Sequence, residues 1–413
     1  MSALASAAPI IVIGAGQAGL QICESLRRGG YGGRLLLIGD EPEPPYQRPP
    51  LSKAFLLGET ERARLAFRPA DFYAKQAIEL RLAAQVTAIH RATREVELAT
   101  GERLAYAKLA LATGTRVRRV HCPGAEQAPL HYLRDVADAE RLRRDLEAAR
   151  TVVVIGGGFI GLEVAAIARK RGAEVVVLEA LERLMARAVA PPVSEFYAAL
   201  HRSQGVAVEL GVGVASFDCG AQGCAVVTTG GQRYVADVVV VGIGVVPNSE
   251  LAEHAGLACR NGIVVDVAAR TSDPDIVAAG DCTQHMNGFL AREIRLESVQ
   301  NAADQAKVAA ATLLGQDAAY HQVPWFWSDQ YDVKLQIAGI GMPYDACVVR
   351  GERTSRAFSV LYFRAGRLVG ADSINRPAEH MAVRKLLARG ASLDAAAAAT
   401  IDLVQLARGL TDT

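Results

Sequence analysis

Twice along the chain, an unbroken apolar run leads into a glycine-rich turn and then into a stretch of helical character. Ile10-Ile11-Val12-Ile13 enters Gly14-Ala15-Gly16-Gln17-Ala18-Gly19, and Thr151-Val152-Val153-Val154-Ile155 enters Gly156-Gly157-Gly158-Phe159-Ile160-Gly161. A short continuous apolar run bounded by glycines predicts a buried strand. Each helical stretch is followed by a second apolar strand ending in an acid, Leu35-Leu36-Leu37-Ile38-Gly39-Asp40 and Val175-Val176-Val177-Leu178-Glu179. Alternation of such strands with alanine-rich helices predicts an α/β architecture.

The glycine spacing carries chemistry. In a strand-turn-helix of this kind the first two glycines let the chain turn tightly and approach a pyrophosphate, and the third lets helix and strand pack closely. Phosphates then meet the unpaired N–H groups of the helix N-terminus. An acid closing the next strand can bind the hydroxyls of an adenosine ribose. Either loop alone is also compatible with glycines kept for packing; the pair, each with its trailing acid, implies two dinucleotides. An enzyme holding two dinucleotides usually passes a hydride between them.

Between the first unit and the rest lies Glu41-Pro42-Glu43-Pro44-Pro45-Tyr46-Gln47-Arg48-Pro49-Pro50-Leu51-Ser52-Lys53, whose five prolines rule out a continuous helix or a central strand. It reads as a stiff loop presenting Arg48 and Lys53, or else as a linker. Leu109-Ala110-Leu111-Ala112-Thr113-Gly114-Thr115-Arg116 and Val238-Val239-Val240-Val241-Gly242-Ile243-Gly244 read as buried strands ending in small-residue turns. They bracket the second unit, which is therefore expected as an insertion. The first domain resumes near Pro247 and reaches a final strand, Ile276-Val277-Ala278-Ala279, ending in Gly280-Asp281. From about Pro324, period-two runs at Lys334–Gly339, Phe358–Phe363 and Leu368–Asp372 predict antiparallel strands, followed by helical segments after Pro377. The two tryptophans, Trp325 and Trp327, stand at the entrance of this third, α+β part and read as core or as one wall of a flat ligand.

The 413 residues predict two to three domains. A formal net charge of +1 implies no global pull toward nucleic acid or a membrane surface. No run is long enough to span a bilayer, and Met1 to Ala8 lacks a basic leader, so a cytoplasmic protein is expected. Seven scattered cysteines read as lone thiols in a reducing compartment. Cys219 and Cys224 have the spacing of a redox pair but sit in a turn between strands of the second unit, which argues against a redox role.

Together these motifs resemble the FAD- and NADH-dependent ferredoxin reductases of oxygenase systems, the putidaredoxin reductase-like group of the pyridine nucleotide-disulfide oxidoreductases. The resemblance covers almost the whole chain. It rests on Gly14-x-Gly16-x-x-Gly19, Arg48-Pro49-Pro50-Leu51-Ser52-Lys53, Ala112-Thr113-Gly114, Gly156 through Glu163, Gly280-Asp281-Cys282, Glu297 through Ala302 and Trp325-Phe326-Trp327-Ser328-Asp329-Gln330. It implies two Rossmann-like dinucleotide-binding domains in a glutathione reductase-like arrangement plus a C-terminal α+β domain. The expected boundaries are 1–113 with 247–323 for FAD, 114–246 for NAD and 324–413 for the C-terminal domain.

The same resemblance implies site roles. Gly14, Gly16, Gly19, Asp40, Arg48, Ala112, Arg116, Asp281, Val299 and Trp327 would contact FAD, with Lys53 near the reactive edge of its ring. Gly156, Gly158, Ile160, Gly161, Glu179, Gly244 and Glu297 would contact NADH, and Glu163 would pair with Lys53; these two are the expected catalytic residues. Arg183 stands where it could soften a preference for NADH over NADPH. No metal site is expected. The implied electron acceptor is a [2Fe-2S] ferredoxin serving a cytochrome P-450 monooxygenase or a Rieske dioxygenase, with Arg62, Arg64, Arg68, Arg292 and Arg295 as candidate steering cations. The implied assembly is a monomer or weak dimer. Rival readings are an apoptosis-inducing-factor-like redox sensor and a rubredoxin reductase. An NADH oxidase or peroxidase, or a disulfide reductase, would require a cysteine near residues 40–55, and none is there.

Overall fold

The computed structural model describes residues 8–220, 223–288, 290 and 292–410. Residues 1–7, read above for a leader, fall outside that set. The chain gathers into two compact units. One comprises the residues up to Gln47 with Leu65–Arg116 and Val246–Pro324; the other comprises Arg48–Arg64, Val117–Val245 and everything from Trp325.

The first unit is built on a five-stranded sheet in the order Ile276–Ala278, Lys108–Leu111, Ile10–Ile13, Leu35–Ile38, Ile78–Arg81, all parallel. Alternate residues sort to its two faces. Ile10, Val12, Leu35 and Leu37 pack against the helices Gln17–Arg28 and Val299–Leu313, while Ile11, Ile13, Leu36 and Ile38 pack against Ile89, Val96 and Leu98 of a three-stranded antiparallel sheet. Burial on both faces explains why these strands are apolar at every position instead of alternating.

The second unit repeats the plan. Its parallel sheet runs Val206–Leu210, Glu174–Glu179, Thr151–Ile155, Val238–Val241, Leu130–His131. One face packs Val153, Ile155, Val239 and Val241 against Phe217, Val226 and Ala236 of an antiparallel three-stranded sheet. The same unit holds a five-stranded antiparallel sheet, ordered Trp325–Gln330, Val333–Gly339, Arg367–Ile374, Ala357–Arg364, Ala346–Glu352, with the helices Pro377–Ala388 and Leu403–Arg408. The three strands expected there are present. Trp325–Gln330 and Ala346–Glu352, which carried no clear period-two signal, form the two edges.

The C-terminal sheet is tied to the start of helix Pro191–Ser203, where the Ala190 N–H donates to Tyr362 Oη at 3.0 Å. Tyr362 Oη in turn donates to buried Asp372, whose carboxyl is pushed up to about 7 by burial.

One cysteine expectation is corrected. Cys219 and Cys224 are not lone thiols but form a disulfide across the antiparallel pair Val214–Gly220 and Gly223–Thr228. Hairpin pairing places the two residues directly opposite each other; residues 221–222 lie outside the described set. Among the described residues, no helix is long and apolar enough to cross a membrane.

Candidate functional site

The two glycine loops divide their labour in the same way. A Cβ on Gly14 would lie 2.1 Å from the Ala112 carbonyl oxygen, and one on Gly19 would lie 1.9 Å from the Gly14 oxygen. Gly156 and Gly161 are equally confined, at 2.5 Å from Gly242 O and 2.2 Å from Gly156 O. These four are required by the protein's own backbone, and Gly14 and Gly156 also hold φ values of +107° and +104° that side chains rarely adopt. The middle glycines differ. No protein atom lies within 4 Å of a Cβ at Gly16, and only Gly242 O, at 3.9 Å, approaches one at Gly158. Both have extended backbone that any residue adopts.

Their missing side chains therefore leave open space that a ligand can enter. Each middle glycine is also the N-cap of a 12-residue helix with no side-chain cap and no acid in its first turn. The free N–H groups and the helix dipole consequently face that space and favour an anion. By contrast, helix Val136–Ala148 spends the Asp135 carboxylate on its own Asp138 N–H. Both loops fit a dinucleotide pyrophosphate.

The trailing acids lie where the sequence puts them, at the ends of the second strands. Asp40 is exposed just past Leu35–Ile38. Glu179 closes Glu174–Glu179 and is oriented by the chain: Oε2 accepts from Gly157 N at 2.7 Å and Oε1 from Leu181 N at 2.8 Å. A carboxylate has about four lone-pair sites, so two remain for ribose hydroxyls. Arg183 is not available to offset that charge. Its guanidinium donates to the Val189 and Ala186 carbonyls at 2.5 and 2.7 Å and to Ser194 Oγ at 2.9 Å, clasping the following loop.

Within the second unit the proline-rich segment forms a 3-10 turn, Pro49–Ser52, and a one-turn helix, Ala54–Leu57. Leu51, Phe55 and Leu56 are buried, and Arg171 donates to the Leu56 carbonyl at 2.8 Å. Lys53, between the two turns, extends its ammonium to Glu163 Oε2 at 2.7 Å. Glu163 lies on helix Phe159–Lys170, five residues past Gly158, so the loop and the carboxylate share one rigid element. It is 3% exposed and accepts two further hydrogen bonds, from Ser52 Oγ to Oε2 at 2.5 Å and from Ser328 Oγ to Oε1 at 2.6 Å. Three donors offset the cost of burying the charge. Ser328 is on strand Trp325–Gln330, fixed to the same helix by Phe159 and Phe326, whose ring centroids are 4.8 Å apart.

The other expected contacts are placed less uniformly. Ala112 stands behind Gly14, as the backbone contact above requires. Val299 opens the helix Val299–Leu313, capped by Ser298. Asp281 follows Gly280, whose N–H is held by Gln305. Ile160 is 44% exposed beside its loop, and Gly244, at φ +100°, lies in the turn after Val238–Val241. Arg48 donates to the Arg134 carbonyl at 2.7 Å. Trp327 stacks at a tilt on Trp325, with centroids 5.6 Å apart.

Arg116 is engaged by Glu250 at 2.5 Å and Asn248 Oδ1 at 3.0 Å, and Glu297 by Arg295 at 2.7 Å. Of the candidate steering cations, Arg62 pairs with Glu140 and Arg68 with Glu24, while exposed Arg64 has no ion pair among the described residues. Sequence reasoning gave Ser52 and Ser328 no role, although both stand in the quoted motifs; adjacency of Ser52 to Lys53 was the only signal.

Residues 8–306 match the family described as pyridine nucleotide-disulphide oxidoreductase, and 325–407 match that described as reductase C-terminal. The chain is 46% identical to rhodocoxin reductase of Rhodococcus erythropolis over 394 residues, covering 95% of this chain and 92% of that protein. It superposes with a TM-score of 0.94 on the ferredoxin reductase for the CYP199A2 system from Rhodopseudomonas palustris, at 43% identity, covering 97% of this chain and 99% of that one. The same score relates it to a chain of the covalent putidaredoxin reductase-putidaredoxin complex, at 39% identity and 98% and 99% coverage.

Proposed function

Because the chain belongs to the pyridine nucleotide-disulphide oxidoreductase family, we propose that its two glycine loops bind FAD in the first unit and NADH in the second. The protein is a ferredoxin reductase of an oxygenase system. It takes a hydride from NADH and gives single electrons to a [2Fe-2S] ferredoxin, which supplies a cytochrome P-450 monooxygenase or a Rieske dioxygenase. We assign it to the cytoplasm, where NADH is available.

The observation that carries this reading is that no cysteine pair stands beside Lys53. The proline-rich segment contains no cysteine. Burial raises every free thiol among the described residues: Cys259 is pushed up to about 11, and Cys23, Cys122, Cys282 and Cys347 are also shifted upward. A thiol held protonated is a poor nucleophile, so these cysteines are unsuited to carry electrons through a disulfide.

Bound FAD supplies the conversion between a two-electron hydride donor and a one-electron carrier. The chain supplies position and charge. Gly16 would leave room for the FAD pyrophosphate at the helix N-terminus, in the tight turn that Gly14 and Gly19 allow, and Asp40 would hold its adenosine ribose, with Arg48, Ala112, Arg116, Asp281, Val299 and Trp327 as further contacts. Gly156, Gly158, Ile160, Gly161, Glu179, Gly244 and Glu297 bind NADH. Lys53 would supply a cation to offset the negative charge of a reduced flavin, and Glu163 holds that cation still at 2.7 Å.

The reading is tested by steady-state reduction of a [2Fe-2S] ferredoxin and of a rubredoxin. Higher efficiency with the ferredoxin is expected; a clear preference for the rubredoxin, or turnover of neither, would overturn it.

Coenzyme choice gives a second expectation. With Glu179 oriented and Arg183 occupied, a 2′-phosphate meets a carboxylate and no compensating cation from Arg183. Glu179→Ala should lower kcat/KM for NADH about tenfold, the equivalent of one charged hydrogen bond, and raise it for NADPH. Equal use of both coenzymes by the unmodified protein would contradict the assignment.

A further inference from the structure

Glu163 Oε1 is the terminus of a hydrogen-bond chain that extends well beyond Ser328. Ser328 Oγ receives Gln330 Nε2 at 3.2 Å, Gln330 Oε1 lies 2.9 Å from His201 Nε2, and Tyr331 Oη lies 3.4 Å from His201 Nδ1. Glu163, Ser328, Gln330 and His201 are all at most 3% exposed. Ser328 and Gln330 stand two apart on strand Trp325–Gln330 and so share one face, opposite to Trp327. His201 comes from helix Pro191–Ser203.

The polarity of this chain is fixed from its acidic end. An ionised carboxylate only accepts, so the single Ser328 proton points at Oε1. Ser328 Oγ must then accept from the Gln330 amide, because the opposite amide orientation would set two acceptors against each other. Gln330 Oε1 in turn requires a proton on His201 Nε2, which leaves Nδ1 to accept from Tyr331. Every donor is directed toward the carboxylate.

We propose that Ser328, Gln330 and His201 are positioning residues that keep the Glu163 carboxylate turned toward Lys53, and so hold the Lys53 ammonium in place for the hydride step. This rests on the reading of Lys53 and Glu163 given above. The titratable groups facing Glu163 fit it: Lys53 from the proline-rich segment, Tyr197 and His201 from helix Pro191–Ser203, and Tyr331 beyond His201. Burial holds His201 below its ordinary value, so it is a neutral single-proton donor at neutral pH, as the chain requires. Without the Ser328 hydroxyl, the carboxylate loses a charge-assisted hydrogen bond and the contact that turns its other oxygen toward Lys53.

The test uses holoenzyme carrying Ser328→Ala or Ser328→Thr, with two readouts. In single-turnover mixing with NADH, Ser328→Ala should slow flavin reduction about tenfold, the loss of one hydrogen bond to a charged group. Ser328→Thr, which keeps the hydroxyl, should restore the original rate. In ¹⁵N NMR of labelled histidines, with His201 assigned through His201→Gln, the unmodified protein should show the Nε2–H tautomer at neutral pH.

An unchanged rate in Ser328→Ala, an equal loss in Ser328→Thr, or an Nδ1–H or doubly protonated His201 would overturn the proposal. If NADH failed to reduce the unmodified protein at all, the functional reading would fall. The His201 tautomer would still decide whether the chain exists.

Discussion

Gly16→Val should yield a folded protein that purifies without its flavin. Position 16 has φ −96° and ψ −160°, which valine adopts readily, and a Cβ there meets no protein atom within 4 Å. What valine fills is the space between the helix N-terminus and the expected pyrophosphate. Losing two charge-assisted hydrogen bonds from the helix N–H groups, at about 1.5–3 kcal/mol each, lowers FAD affinity on the order of a hundredfold or more. Absorbance of bound flavin and circular dichroism of the same sample read the two consequences separately. Gly14→Val is the contrasting case: its side chain would collide with the Ala112 carbonyl, and the fold itself should suffer. Full flavin occupancy in Gly16→Val, at near-normal affinity, would show that the first loop is only a packing device.

The second large effect is at Lys53. Lys53→Met keeps most of the side chain's volume but removes the charge, and should slow NADH-driven flavin reduction by about 10²–10³, the effect typical of losing one preorganised charged donor. It should also cost roughly 2–3 kcal/mol of stability. Glu163 is left buried without its cation, but the penalty falls below that of a fully buried pair because 21% of the Lys53 side chain is exposed. The double variant Lys53→Met/Glu163→Gln, which removes the buried charge but keeps a hydrogen-bonding partner for Ser52 and Ser328, separates the effects, regaining stability while staying slow. Urea unfolding and stopped-flow absorbance measure the two quantities, and an unchanged rate in Lys53→Met would remove Lys53 from the mechanism.

The contrast between these two sites reflects how much the sequence reveals. Strands buried on both faces, such as Ile10–Ile13 and Thr151–Ile155, are legible because burial makes every position apolar. The loops that follow are legible because glycine is required where one backbone touches another. Which glycine serves the fold and which serves the ligand is not legible: Gly14 and Gly16 read alike until the Ala112 carbonyl is seen beside the first and open space beside the second.

The Lys53 and Glu163 side chains meet across a separation of 110 residues, and Ser328 and Glu163 across 165. No local period encodes such contacts, so the pairing of Lys53 with Glu163 was accessible only through the family resemblance, and the contact with Ser328 not at all. Arg183 shows the opposite failure. Its place in the chain suggested a phosphate ligand, but three acceptors from its own loop and the next helix occupy it. Cys219 and Cys224 could be weighed as a pair by spacing alone, but the hairpin register that joins them in a disulfide is invisible in composition.

The most direct test of the account is anaerobic rapid mixing of holoenzyme with NADH and excess [2Fe-2S] ferredoxin, following flavin and iron-sulfur absorbance together. The account predicts that flavin absorbance falls first and that two ferredoxins are reduced for each NADH consumed. Flavin bleached by NADH beside a ferredoxin that stays oxidised, with the electrons passing to oxygen once air is admitted, would contradict it.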